Sequence, residues 1–239
     1  MREKNLVAGV IGGLGPAATI DFLRRVLELT PAETEQDHIR LLVDQNPRVP
    51  NRQQAILENG SSPGPALADM AAGLERAGAD FLVMPCNTAH AFARDITHAV
   101  SIPLVSIVDS TLESVTADVR TIGVLETPAC RKAELYNNAL NAAGRACIRL
   151  EASDCDVLME VAYAVKRGDY GSVQKAAARQ LAESLVARGA GAIIVACTEL
   201  PLVLNDKDVS VPLIVTTDAL ARKTIALARG DLPLPATGK

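Results

Sequence analysis

"GADFLVMPC" at residues 78–86 and "GAGAIIVAC" at residues 189–197 spell one pattern twice. Each opens on Gly-Ala, runs through a continuous apolar stretch and stops at a cysteine eight residues after the glycine. A short Val/Ile/Leu-rich run without polar alternation marks a strand covered on both faces, and the glycine ahead of it ends a helix. Further on, "SIPLV" (101–105) matches "SVPLI" (210–214). The spacing is roughly 110 residues. The chain therefore reads as two copies of one strand–helix plan.

Working outward, apolar runs alternate with helix-period segments. Strands are predicted at 6–13, 39–45, 81–85, 103–107, 120–127, 192–197 and 212–216. Helices are predicted at 17–29, 66–78, 88–100, 130–144, 157–168 and 173–189, with Pro16 suited to a first turn. The fold class is α/β: two similar Rossmann-like domains with parallel sheets, related by a pseudo-twofold, with the active site in the interdomain cleft. "SIPLVSIV" crosses between them and "VPLIVTTDALARKTIALA" returns. The first domain is thus discontinuous, 1–105 plus 214–239, and the second is 106–213.

Composition narrows the function. The 239 residues carry a net charge of −4 with no basic run, and aromatics are scarce. That points away from nucleic acid and from anionic membranes. No stretch approaches a membrane span, and the start of the chain does not resemble a signal peptide. Five scattered cysteines (Cys86, Cys130, Cys147, Cys155, Cys197) fit a reducing cytoplasm. No C-x-x-C pair is present, so a metal site is not expected.

Two thiols at equivalent strand ends suit proton transfer at an α-carbon. One thiolate removes the proton and one thiol returns a proton from the opposite face. Asn87-Thr88 and Thr198 stand where they cap a following helix, whose N-terminus lowers a thiol pKa and holds an α-carboxylate. Glu199 is placed to orient an ammonium group. His90 either tunes Cys86 or packs. The bland alternative for each cysteine is a small buried apolar residue.

The stretches "GVIGGLGPAAT" (9–19), "QNPRVPNR" (45–52), "MPCNTAHAF" (84–92), "IPLVSI" (102–107) and "ACTELPLVL" (196–204) resemble the aspartate/glutamate racemase family, aspartate racemases most. The resemblance implies cofactor-independent racemisation of a small dicarboxylic amino acid by two bases, in a homodimer. It implies that Cys86 and Cys197 are the catalytic pair. Asn87, Thr88 and Thr198 would contact the α-carboxylate and ammonium. Arg52, closing the motif that Asn46 opens, and Lys166 would bind the distal carboxylate; Arg48 is a further candidate. Leu14 would line the site where relatives carry methionine. The chain departs at "ETPACRK" (126–132): the family's Thr-x-Gly-Thr turn keeps Thr127 but has Ala129 and Cys130. Cys130 is either a wall of the site or a buried helix-start residue. Alternatives are glutamate, a broader range of amino acids, a hydantoin or maleate as substrate, or a dicarboxylate-binding protein without turnover.

Overall fold

The computed structural model describes residues 5–237. In chain order the elements are β1 (Ala8–Gly12), α1 (Pro16–Leu29), β2 (Leu41–Gln45), α2 (Arg52–Leu57), α3 (Gly64–Arg76), β3 (Phe81–Val83), α4 (Ala93–Ala99), β4 (Leu104–Val105) and α5 (Ile107–Glu113). There follow β5 (Thr121–Glu126), α6 (Pro128–Lys132), α7 (Leu135–Ala142), β6 (Ala146–Arg149), α8 (Ala152–Lys166), α9 (Ser172–Ala187), β7 (Ala192–Ala196), β8 (Leu213–Val215) and α10 (Thr216–Ala228). Two compact units result. One runs to Ile107 and resumes at Thr217; the other spans Val108–Thr216. No helix among the described residues is long and apolar enough to cross a membrane.

Each unit holds a four-stranded parallel sheet, in the order β2-β1-β3-β4 in the first and β6-β5-β7-β8 in the second. The strand order reverses beside the first strand of each unit. The carboxyl ends of β1 and β3, and likewise those of β5 and β7, are thus the switch-point positions at which open α/β sheets bind ligands.

The duplicated Gly-Ala has a structural reason. Gly78 and Gly189 have φ near +95° and terminate α3 and α9. Gly78 N–H donates to Glu75 O at 2.9 Å and Ala79 N–H to Leu74 O at 3.0 Å. The same pair recurs as Gly189 to Val186 and Ala190 to Leu185, at 2.9 and 3.1 Å. Both helices thus end in the same Schellman motif. The alanine methyl then packs on a strand glycine. A Cβ added to Gly9 would lie 2.9 Å from Ala79 Cβ and 2.8 Å from a Leu82 methyl. One added to Gly123 would lie 3.0 Å from the Cβ atoms of Ala190 and Leu185. Helix and sheet approach closely at the same place in both units.

Helix α10 completes the first unit. Leu6 N–H donates to Ala228 O at 2.8 Å, and Arg25 of α1 pairs with both Asp21 and Asp218.

Several boundaries differ from the sequence-based expectation. The helix expected at 88–100 is a tight 3₁₀ turn over Thr88–Phe92 followed by α4. The one expected at 130–144 breaks at Glu134, whose φ is 55°, into α6 and α7. Strand β6 and the helices α2 and α5 were not anticipated. They span four, six and seven residues, too few for a periodic signal.

Gly9→Ala and Gly123→Ala should each destabilise by about 1–3 kcal/mol through overpacking. Gly78→Ala, where a Cβ meets nothing within 4 Å, should cost only the left-handed backbone penalty of roughly 1 kcal/mol. Urea unfolding of the three variants checks the order.

Candidate active site

In the first unit the chain leaves β3 through Pro85. Cys86 N–H turns back to Met84 O at 2.8 Å. The thiol is buried in a cluster that contains Leu14, Val49, Met84 and Ala89. His90 holds this turn. Ile107 N–H donates to its Nε2 at 3.1 Å, so the ring proton sits on Nδ1 and is donated to Cys86 O at 2.9 Å. Both ring nitrogens are engaged with backbone, which makes His90 a strut rather than a proton carrier.

Leu14, Asn46 and Arg52 lie together beyond the carboxyl end of β1. A Cβ on Gly13 would fall 2.5–2.7 Å from Asn46 backbone atoms, so only glycine lets the two loops touch. Arg52 donates from Nη1 to Val49 O (3.2 Å) and Pro50 O (3.0 Å), and from Nη2 to Leu14 O (2.6 Å). Three of a guanidinium's five donors are thereby fixed to backbone. Nε is buried and unpaired. The residual donors lie along the Nε–Nη2 edge, the geometry that a carboxylate accepts in two-point fashion. Asn46 Oδ1 accepts from Arg48 N–H at 3.0 Å and shapes the loop; Arg48 itself is exposed.

In the second unit Cys197 follows β7 and is packed against Leu125, Leu158, Val161 and Leu200. Its Sγ–H points to Glu199 Oε2 at 3.4 Å, and Thr198 Oγ1 is 3.5 Å from the same oxygen. Glu199 is 4% exposed. Its Oε1 lies 3.6 Å from Lys166 Nζ, too long for a hydrogen bond, and has no other partner. The Lys166 ammonium also sits 5.4 Å over the Tyr163 ring. Burial, then the Glu199 charge, push the Cys197 thiol well above its ordinary value, while Lys166 pulls the other way. Glu199, assigned above to an ammonium group, thus faces the thiol and the lysine.

The expected helix N-termini behind the two cysteines are not formed. Directly behind them stand the 3₁₀ turn Thr88–Phe92, which leads into α4, and the 3₁₀ turn Leu200–Leu202, with Asn87 and Glu199 at their starts and no side-chain cap bond. Such short turns carry little macrodipole.

At the end of β5, Thr127 Oγ1 caps α6 by accepting from Cys130 N–H at 3.3 Å. Cys130 is fully buried beside the Glu126 carboxylate. Sequence reasoning missed what holds this turn. Arg149, on the unanticipated β6, donates to Glu126 Oε1 and Glu134 Oε1, both at 2.8 Å, and to Arg131 O at 3.0 Å. One guanidinium thus ties both flanks of α6 to the sheet. Burial pushes the Glu126 carboxyl up and Arg149 offsets that. No cluster of potential metal ligands occurs among the described residues.

Comparison with known proteins places these features in context. The profile of the Asp/Glu/Hydantoin racemase family matches residues 11–224. The broad specificity amino-acid racemase RacX of Bacillus subtilis is 28% identical over 222 residues, covering 91% of this chain and 96% of RacX. The structure of Picrophilus torridus aspartate racemase is 28% identical, with 96% of each chain covered and a TM-score of 0.82. Francisella tularensis glutamate racemase, solved with D-glutamate, shares the fold at 17% identity, with a TM-score of 0.69 over 95% of this chain and 82% of its own.

Glu199→Gln removes a negative charge from the Cys197 thiol and should speed its alkylation by iodoacetamide at neutral pH, read by mass spectrometry. Arg149→Met strands a buried carboxylate and should cost about 3 kcal/mol at neutral pH. Burial, which already holds the folded pKa of Glu126 above its ordinary value, then raises it further without Arg149 to offset it. The deficit should therefore be smallest in acid and grow as pH rises through about 4.3, the ordinary glutamate value. Denaturation curves across that range check the sign.

Proposed function

The chain belongs to the Asp/Glu/hydantoin racemase family and is an amino-acid racemase, and we propose that it interconverts L- and D-aspartate with Cys86 and Cys197 as its two bases. The observation that carries this reading is the duplicated placement of the thiols. Each follows the strand beside the reversal in strand order, at the carboxyl edge where α/β sheets bind ligands. Independence from pyridoxal phosphate and metal comes with the family resemblance.

In the proposed step a thiolate takes the α-proton. The electron pair left on carbon spreads into the α-carboxylate. The other thiol delivers its proton to the opposite face and becomes the thiolate. No proton is gained or lost overall, and the roles of the sulfurs are exchanged. Glu199 and burial favour the protonated form of Cys197. Cys197 therefore rests as the acid, and Cys86 is the first base. Asn87, Thr88, Thr127 and Thr198 are assigned to the α-carboxylate and ammonium, and Leu14 with Cys130 to the walls.

The distal carboxylate is assigned to Arg52, whose anchored guanidinium loses little freedom on binding, with Lys166 as a point charge. A second reading, a broader substrate range, draws support from the pairing of Lys166 with Glu199. That pairing offsets one of the two cations. The similarity to RacX favours the same reading. The five free cysteines agree with a cytoplasmic home.

Exchange of the α-proton in deuterated water tests the chemistry. Cys86→Ser and Cys197→Ser should each lower racemisation by at least about a hundredfold; full turnover by either variant defeats the two-base scheme. A chiral-chromatography panel of aspartate, glutamate and neutral amino acids tests the substrate. Aspartate should have the highest kcat/KM, and Arg52→Lys should lower it by roughly tenfold or more. Calorimetric binding of aspartate with no α-proton exchange would identify a binding protein instead.

A further inference from the structure

The repeat that places the two cysteines also marks two residues that hold their turns. "SIPLV" (101–105) and "SVPLI" (210–214) are equivalent, so Ile107 and Thr216, each two residues further on, are equivalent as well. Both are fully buried, and each opens a helix, α5 and α10 respectively. Each is also where the chain leaves its own unit. Ile107 precedes Val108, the first residue of the second unit, and Thr216 precedes Thr217, where the first unit resumes.

In both units this residue is bonded to the segment that carries the thiol. Ile107 N–H donates to His90 Nε2 at 3.1 Å, and the other ring nitrogen meets Cys86 O at 2.9 Å. The imidazole thus reaches from the start of α5 to the cysteine itself. In the second unit the position four residues after the cysteine is Pro201, whose ring offers no polar atom for such a bridge. There Thr216 makes the link directly. Its hydroxyl donates to Val195 O at 3.1 Å, two residues before Cys197.

The sheet alone holds these strand ends weakly. β3 pairs with β4 over two residues, and β7 with β8 over three. The last pairs are Val83 with Val105 and Val195 with Val215, short of either sulfur. Proton transfer to and from carbon tolerates little misplacement: an error of about 1 Å can cost roughly a hundredfold in rate.

We propose that His90 and Thr216 are a matched pair of positioning residues, each fixing one of the two thiols for proton transfer. The inference rests on the two-cysteine reading above, and neither residue is assigned a contact with substrate.

The test is steady-state racemisation by His90→Leu, Thr216→Val and Thr216→Ser. The substrate is the best-used amino acid of the chromatography panel, deuterated at the α-carbon and supplied as separate L and D forms. His90→Leu and Thr216→Val should each lower kcat by about tenfold or more, with KM within about threefold of native, because a misplaced sulfur weakens the transition state rather than the bound ground state. Thr216→Ser keeps the hydroxyl and should recover kcat to within about threefold of native. Isotope effects tell the thiols apart. When transfer at one sulfur is slowed, the α-deuterium effect grows for the enantiomer whose hydrogen that sulfur removes. It shrinks for the other enantiomer, whose slow step becomes delivery of a proton from the same sulfur. His90→Leu and Thr216→Val should therefore shift the two effects in opposite senses. A merely structural defect lowers the active fraction and leaves both effects at their native values. Circular dichroism verifies folding; should His90→Leu not fold, His90→Gln, which keeps a polar amide, takes its place under the same expectation for the isotope effects. Unchanged kcat, isotope effects that stay native or shift alike for both enantiomers, the same sense of shift in the two variants, or a Thr216→Ser as slow as Thr216→Val would each overturn the proposal. Cys86→Ser and Cys197→Ser, run alongside, report the chemistry separately. Full turnover by either defeats the two-base reading, whereas their inactivity together with unshifted isotope effects defeats the positioning roles alone.

Discussion

The architecture depends on the absence of a side chain at Gly9 and at Gly123. A helix packed on a parallel sheet must match its own end to the strand that follows, and the match is made here by one methyl in each unit. Ala79 and Ala190 occupy the space that a Cβ would need. That contact fixes where α3 and α9 stop, and so where β3 and β7 begin. The strands then run their few residues and end on sulfur. Placement of the two thiols is set at the far end of those strands from the thiols themselves. Close packing transmits such constraints because interiors are dense and resist local adjustment.

Much of this was legible in the sequence, because the informative segments are long or duplicated. The two Gly-Ala runs disclosed parallel strands, helix ends and the equivalence of Cys86 with Cys197. The family motifs carried Leu14, Asn46 and Arg52, and the structure gathers these three into one loop cluster. What the sequence withheld depends on contacts across chain distance. Arg149 lies on a four-residue strand with charged neighbours, so neither its strand nor its grip on Glu126 and Glu134 leaves a local pattern. Glu199 was read as a substrate contact because it follows Cys197 and Thr198; its burial beside Lys166 shows only when α8 is in place. The supposed helix caps after each cysteine failed for a different reason. The propensity of Asn-Thr and Thr for caps is real, but the backbone closes into 3₁₀ turns instead.

The two halves of the duplicated plan have diverged where they meet chemistry. Around Cys86 the turn is held by an imidazole whose two ring nitrogens bond Cys86 O and Ile107 N–H. Around Cys197 the thiol faces a buried carboxylate and a lysine. The two thiols therefore stand in unsymmetric surroundings, and under the proposed two-base scheme those surroundings would set the acid apart from the base. Arg52 illustrates a second principle. Its side chain is anchored to three backbone carbonyls, so the proposed carboxylate contact would not have to order it.

The return of α10 to the first unit has a consequence for biosynthesis. As the ribosome releases the chain from its N-terminal side, the residues that begin the first unit emerge early but lack the helix that Arg25 and Leu6 must engage. The second unit is uninterrupted from Val108 to Thr216. All its parts are in hand before α10 is translated. The half made later is the half that can finish sooner, and the earlier half must wait, partly open, for the last helix to arrive.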